Sequence, residues 1–298
     1  MRDVIDFLKM NDVKYIENAL LSRFSSVRIG GHCSVVAFPK DKEQLIFLVH
    51  FLWNNKTRYK ILGRMSNVLP PDDKYKSVVI KTDLLRDIYI SENTVVADVG
   101  ISLPVLARNL ADSGLSGTEE LSGIPGSLGG AIFGNAGAFG REISDLVKNV
   151  EIYDPEKDTF ETLSHQNAEF IYRGSLFTNK HFVILSATLD LCARSSDEIR
   201  SRMEHFLSAR KQNQPSGEPS LGSVFKRPYE DLSAAQLIDR CGLKGYSIGG
   251  ATVSEKHAGF IVNKGGATSK DYLDLANCVE DRVYEKFGIK LQKEIEIL

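Results

Sequence analysis

The sequence predicts an α+β fold, and three observations lead to that class. Helical and strand periodicities are mixed along the chain without the strict alternation of a doubly wound sheet. The 298 residues, 42% hydrophobic and 26% charged, suffice for two or three packed units with their own cores. The polar run 192–220 opens as a helix and ends in a Pro/Ser/Gly linker, beyond which a second α+β unit begins.

Taken in order, MRDVIDFLKM at the start is amphipathic and charged, a helix rather than a signal peptide. Residues 25–39 read as extended chain. In 41–55, Leu45, Ile46, Leu48, Val49, Leu52 and Trp53 recur at helical spacing. A short strand at 58–62 runs into the turn GRMSN, and strands are expected at 77–81, 86–90 and 94–99. Residues 102–114 form a helix with Ser102 as N-cap, Pro104 in the first turn and Gly114 as its stop. After a glycine-rich stretch, strands return at 148–154, 158–163 and 181–191. The last unit has a helix at 233–242, strands within 246–263, a long amphipathic helix at 269–288 and a closing strand KEIEIL.

Charge and composition exclude several function classes. Lys+Arg 37 against Asp+Glu 39 leaves a net charge of -2, so there is no basic field, and no local basic patch appears. Neither nucleic acid nor an anionic membrane is an expected partner. No apolar run approaches the roughly 20 residues that span a bilayer, and a cytoplasmic protein is expected. Cys33, Cys192, Cys241 and Cys278 form no CxxC pair, and the six histidines show no metal-ligand spacing. Free thiols and no metal site are expected.

Glycine is unevenly placed. Of 24 glycines, nine lie in 114–140 and seven in 242–266, which singles out two stretches for scrutiny. Glycines 123, 126, 129, 130, 134, 137 and 140 are too dense for a regular helix, where each costs about 1 kcal/mol relative to Ala. Small residues between them leave backbone N–H groups uncovered for an anion such as phosphate. Ile124, Pro125, Leu128, Ile132 and Phe133 anchor the stretch, unlike a linker. The pattern is neither GxGxxG after a strand nor a P-loop. LGRMSN at 62–67 offers a second cradle, and the pair suggests a diphosphate held between two loops.

At the level of motifs, IGG (29–31), LGRMSN, SGIPGSLGGAIFGNAGAFGREISD (122–145), YRGSLF (172–177), PSLGSVFKRP (219–228), GLKGYSIGGATVSEKHAGFIVN (242–263) and LQKEIEI resemble the UDP-N-acetylenolpyruvoylglucosamine reductase (UDP-N-acetylmuramate dehydrogenase) family. They occur in the family's order from about residue 25 to 297, and the length resembles the shorter form without the substrate-domain insert. The resemblance implies an FAD-binding fold of the vanillyl-alcohol-oxidase (PCMH) type. Its expected layout is one FAD-binding subdomain at 1–75, to which the closing strand 292–298 returns, a second at 76–195, and a C-terminal substrate-binding domain at 196–291.

The implied activity is reduction of UDP-N-acetylglucosamine enolpyruvate to UDP-N-acetylmuramate for peptidoglycan synthesis, with non-covalent FAD as cofactor and NADPH as co-substrate, in a bacterial cytoplasmic monomer. The resemblance assigns Arg173 as the cation on the substrate carboxylate, Ser223 as the proton donor and Glu294 as an assisting acid. It places FAD on Gly63, Arg64, Met65, Ser66 and Asn67, then on Gly123, Ile124, Pro125, Gly126, Ser127 and Gly130, with Asn135, Ala136 and Gly137. Lys226 and Arg227 are expected on the substrate, Arg227 at its diphosphate.

Three residues depart from the family pattern. Met65 stands where a second glycine is usual, which predicts a narrowed approach to the diphosphate or a negative φ, and weaker FAD binding. Glu296 stands where a basic residue is usual. His32 follows IGG, and RIGGHCS resembles superficially the loop through which related oxidases bind flavin covalently. A covalent flavin oxidase and a degenerate FAD-binding protein without turnover are the alternatives.

Overall fold

The computed structural model describes residues Met1–Leu298, which divide into two compact units. The first comprises Met1–Asn18, Ser34–Arg64 and Lys76–Ser208; the second comprises Ala19–Cys33, Met65–Tyr75 and Ala209–Leu298.

Most of the first unit is two sheets. The four-stranded sheet draws on β1 (Lys14–Leu20), β2 (His32–Phe38), β3 (Tyr59–Leu62) and, after the two-residue β4 (Val68–Leu69) of the second unit, β5 (Tyr75–Lys81). Their order is β1-β2-β5-β3, with β3 and β5 parallel and Leu62 opposite Lys81. Helices α1 (Arg2–Met10) and α2 (Lys42–Asn54) cover it. Val4 and Leu8 from α1 and Leu45, Leu48, Val49 and Leu52 from α2 share a core with Val35, Ala37, Val78 and Ile80. Of the six apolar residues at helical spacing in 41–55, Leu45, Leu48, Val49 and Leu52 form the buried stripe while Ile46 and Trp53 are half-buried, and Asp41 caps α2 by accepting from the Gln44 N–H.

The five-stranded sheet is antiparallel, ordered β12-β11-β13-β7-β6. It contains β6 (Ile88–Ser91), β7 (Thr94–Asp98), β11 (Val147–Asp154), β12 (Thr159–Ser164) and β13 (Val183–Asp190). Helix α3 (Leu103–Asp112) and the short α4 (Leu128–Phe133) pack into its core: Leu106, Leu110, Leu128 and Ile132 meet Val95, Ala97, Val150 and Leu189. Strand pairs β8 (Leu115–Ser116) with β14 (Cys192–Ala193), and β9 (Gly137–Ala138) with β10 (Arg141–Glu142), tie its loops. Helix α5 (Ser196–Asn213) sets Ile199 and Met203 against Ala107 and Ala111 of α3.

In the second unit, β15 (Ser220–Ser223), β16 (Ser247–Ile248), β17 (Ala251–Val253) and β18 (Phe260–Asn263) form an antiparallel sheet ordered β15-β18-β17-β16. Helices α6 (Ala234–Arg240) and α7 (Ser269–Phe287) pack with it. Both begin with reciprocal capping boxes, Ser233 with Gln236 and Thr268 with Asp271, and Gly288 ends α7 at φ 69°. Tyr272, Leu275, Val279 and Val283 of α7 share one core with Val27, Ile29 and Leu69 from the two early segments. The closing strand β19 (Glu296–Ile297) pairs in parallel with β4.

Three expectations change. Within 25–39 only His32–Phe38 is strand, because Arg28 at φ 57° and Gly30 at φ 134° break the extension. The glycine-rich stretch does contain a helix, α4, limited to six residues. Gly129 is required by packing, since a Cβ there would lie 2.8 Å from the Val99 Cβ. The closing segment gives two strand residues instead of six.

Candidate functional site

The first unit assembles the two glycine-bearing loops at one place. The N–H groups of Leu128 and Gly129 donate to Ile101 and Val99, and Leu103 donates to Gly126, which stitches the loop to the end of β7 and the start of α3. Ser127 caps α4, its Oγ accepting from the Gly130 N–H at 3.4 Å. A Cβ on Gly63 would fall 2.0 Å from that Oγ, so only glycine lets the turn after β3 lie against the cap. The backbone N–H groups of Arg64, Gly126 and Ser127 donate to nothing inside the protein. Bare backbone, uncommitted N–H donors and positions that a Cβ would fill are what a diphosphate needs, so these residues fit FAD.

Arg173, in the connection between β12 and β13, reaches the same glycine-rich loop with its side chain. Its guanidinium donates to the carbonyls of Asn135 (3.4 Å) and Gly137 (3.3 Å), pairs with the Glu142 carboxylate at 3.5 Å and lies over the Tyr172 ring. Asn135 is buried and also bonded, donating to Glu142 at 2.7 Å and to the Ile171 carbonyl, while its Oδ1 accepts from the Ser144 N–H. Arg173 itself has φ 54°, a left-handed conformation that costs an L-residue about 1–2 kcal/mol and is concentrated at functional sites. The glycine at 137 is required here as well, since its Cβ would meet the Arg141 carbonyl at 2.9 Å.

The second unit brings Ser223, Glu294 and Asn67 together. Between Ser220 and Ser223 the β15–β18 register shifts, and Gly222 has φ 80°, a bulge that re-aims the exposed Ser223. The next residue, Val224, donates to the Gly259 carbonyl and accepts from the Glu294 N–H at 2.7 Å. Asn67 Nδ2 donates to the Glu294 carbonyl at 3.0 Å, and the Asn67 carbonyl accepts from the Glu296 N–H. Lys226 donates from its backbone N–H to Gln292, and exposed Arg227 reaches the Glu230 carbonyl.

Met65 has φ 52° and is 3% exposed. The backbone takes the conformation a glycine would supply, and the expected negative φ is not adopted. Cys33, Cys192, Cys241 and Cys278 are free thiols, and no cluster of His, Cys, Asp and Glu could hold a metal ion.

Two functional candidates escape motif reading. Lys81, 2% exposed, donates from Nζ to the Gly63 carbonyl and pairs with Asp83 at 3.4 Å. Burial lowers its pKa, and the Asp83 charge opposes that shift. The signal was a lysine closing the apolar run VVIK. His257 accepts the Gly259 N–H on Nδ1 at 3.2 Å, holding the turn before the strand that pairs with Ser223.

Comparison with known proteins agrees with this geometry. The profile of the UDP-N-acetylenolpyruvoylglucosamine reductase C-terminal domain matches residues 214–298, and that of an FAD binding domain matches 33–163. The chain is 41% identical to the UDP-N-acetylenolpyruvoylglucosamine reductase of Caldanaerobacter subterraneus subsp. tengcongensis over 99% of this chain and 98% of that protein. It is 39% identical to the enzyme of the same name from Clostridioides difficile, over 99% and 96%. The crystal structure of UDP-N-acetylenolpyruvylglucosamine reductase from Thermus caldophilus superposes with a TM-score of 0.80 at 32% identity, covering 96% of this chain and 98% of that one. A solvent-stable cholesterol oxidase, 16% identical with a TM-score of 0.50 over 61% of this chain and 38% of that chain, shares the fold alone.

Proposed function

The chain belongs to the UDP-N-acetylenolpyruvoylglucosamine reductase family, an FAD-dependent, NADPH-oxidising step of peptidoglycan precursor synthesis, and on that premise we propose that Arg173, Ser223 and Glu294 carry its chemistry. The product is UDP-N-acetylmuramate. Bound FAD supplies the hydride that NADPH provides.

As hydride reaches the enolpyruvyl methylene carbon, negative charge develops towards the adjoining carboxylate. Arg173 offers a planar fork of donors to that charge, already oriented by the carbonyls of Asn135 and Gly137. Ser223 Oγ holds the proton for the carbon next to the carboxylate, and its bulge presents the hydroxyl outward. Glu294, fixed through its backbone to Val224 and Asn67, is the third member, placed to assist at the developing enolate. The residues that would hold FAD are those assigned from the sequence, with Gly63 and Ser127 at their centre. Lys226 and Arg227 are read as substrate contacts, Arg227 at the diphosphate.

The observation that carries this reading is the Arg173 guanidinium, which the tight turn Ile171–Gly174 presents to the loop that fits FAD and which is locked there by the Asn135 and Gly137 carbonyls and the Glu142 carboxylate. We assign the two sheets of the first unit to FAD binding and the sheet of the second to substrate binding. A bacterial cytoplasmic monomer is the proposed setting; light scattering at working concentration checks the mass.

Anaerobic stopped-flow provides the test. In Ser223→Ala, flavin bleaching by NADPH should proceed near the wild-type rate, while colour recovery on adding UDP-N-acetylglucosamine enolpyruvate slows by at least a hundredfold, within the range of general acid catalysis. If both phases slow together, Ser223 is not the proton donor.

A further inference from the structure

We propose that Lys81 is a positioning residue for FAD: by holding the Gly63 carbonyl inward, it turns the Arg64 N–H outward as a donor to the cofactor's diphosphate. The inference deepens the reading of the Gly63–Ser127 cradle as the FAD diphosphate site and rests on it.

Strands β3 and β5 are parallel, Leu62 stands opposite Lys81, and the Thr82 N–H donates to the Leu62 carbonyl at 3.1 Å. This pairing ends where the chain turns at Gly63, so the Lys81 side chain lies beneath the first peptide of the turn. Its side chain is 2% exposed, and its Nζ donates to the Gly63 carbonyl. Asp83, 3.4 Å away, balances the charge and holds the ammonium in place.

No peptide bond in the chain is cis. In a planar trans peptide the C=O and the following N–H point in opposite directions. A carbonyl drawn onto a buried ammonium therefore fixes the Arg64 N–H on the opposite side, and that N–H has no partner inside the protein. The Cα of Gly63 is meanwhile seated against the Ser127 side chain, which restricts rotation of the same peptide. Burying a lysine is expensive, and a salt bridge to Asp83 alone would form equally well at the surface. The buried position is explained if the ammonium's second bond sets a ligand-facing donor.

Three measurements on purified protein decide the matter. FAD affinity of the apoprotein, followed by flavin fluorescence, should fall about tenfold to hundredfold in Lys81→Met, which keeps the apolar stem and removes the charged donor. In wild-type apoprotein labelled with 15N-arginine, the Arg64 amide resonance should move on adding FAD and stay in place on adding riboflavin, which lacks the diphosphate. A Lys81→Met protein that binds FAD within threefold of wild type, or an Arg64 amide that FAD does not move, overturns the proposal. Should Lys81→Met fail to fold, the wild-type amide decides alone. Gly63→Ala separates the two readings: unchanged FAD affinity there sinks the cradle itself, whereas loss of FAD in Gly63→Ala with retention in Lys81→Met sinks only the role of Lys81.

Discussion

Met65 and Arg173 both sit in left-handed backbone, where a side chain costs energy, and they resolve that cost differently. Met65 offsets it by burial: the conformational penalty is about 1–2 kcal/mol, while burying a methionine side chain is worth about 1.5–3 kcal/mol. Met65→Gly should therefore lower apoprotein stability by roughly 1 kcal/mol, read as a lower urea midpoint at unchanged slope; a raised midpoint would mean that strain dominates. Arg173 is only partly buried and offsets its strain with charged hydrogen bonds to Asn135 and Gly137. Lysine cannot make both bonds at once in the same plane. Arg173→Lys should lower kcat by about tenfold to hundredfold with FAD content unchanged, taking bonds to charged groups at about 1.5–3 kcal/mol. Arg173, Ser223 and Glu294 could be named as candidates because they sit in recognisable motifs. Lys81 could not, since nothing in VVIK says which backbone carbonyl its side chain will meet.

At the scale of elements, glycine density misled as to conformation while pointing to the right place. Gly129 lies inside a helix turn because Val99 leaves no room for a side chain there, a tertiary cause that propensity cannot register. Strand β1 was illegible for the opposite reason. Only Ala19 in KYIENAL is buried, so no alternation of apolar and polar residues marks it. Helix α5 looked merely polar, yet its Arg202 reaches Glu119 at 3.7 Å and Glu120 at 2.9 Å. Glu119 is fully buried. Burial alone would raise its pKa, but bonds from Ser116 Oγ and the Gly117 N–H, each 2.6 Å, together with the Arg202 charge, hold it below the ordinary value. A depressed folded-state pKa gives stability that is present above the unfolded value of 4.5 and is lost as pH falls through the folded value. Stability measured from pH 6 down to 3 should fall more steeply in wild type than in Glu119→Gln. Equal slopes would remove Glu119 from the acid response. At β15, Gly222→Ala should cost about 1–2 kcal/mol and lower kcat more than it changes KM, because the bulge aims Ser223.

For the molecule as a whole, the two units are interleaved along the chain. The core of the second unit takes Val27, Ile29 and Leu69 from segments far from Leu221, Ile261 and Val279 in sequence. Residues 209–298 expressed alone should not fold: circular dichroism should show a loss of cooperative melting, and adding the early segments in the intact chain should restore it. A cooperative transition in the fragment would show that the early segments are dispensable. The Pro/Ser/Gly linker that ends 192–220 was readable from composition and the return of the closing strand to 1–75 from the motif resemblance, but the recruitment of residues 19–33 and 65–75 into the second unit was not, because it depends on contacts such as the Asn263 bond to the Val27 carbonyl that leave no local mark. Asn67 and Glu294 are 227 residues apart, and Val27 and Asn263 are 236 apart. A ribosome adding about 5–20 residues per second separates such partners by roughly 10–45 s. During that interval Val27 and Asn67 are without these partners in the nascent chain, whereas every strand of the two sheets of the first unit has been made before residue 209 is added.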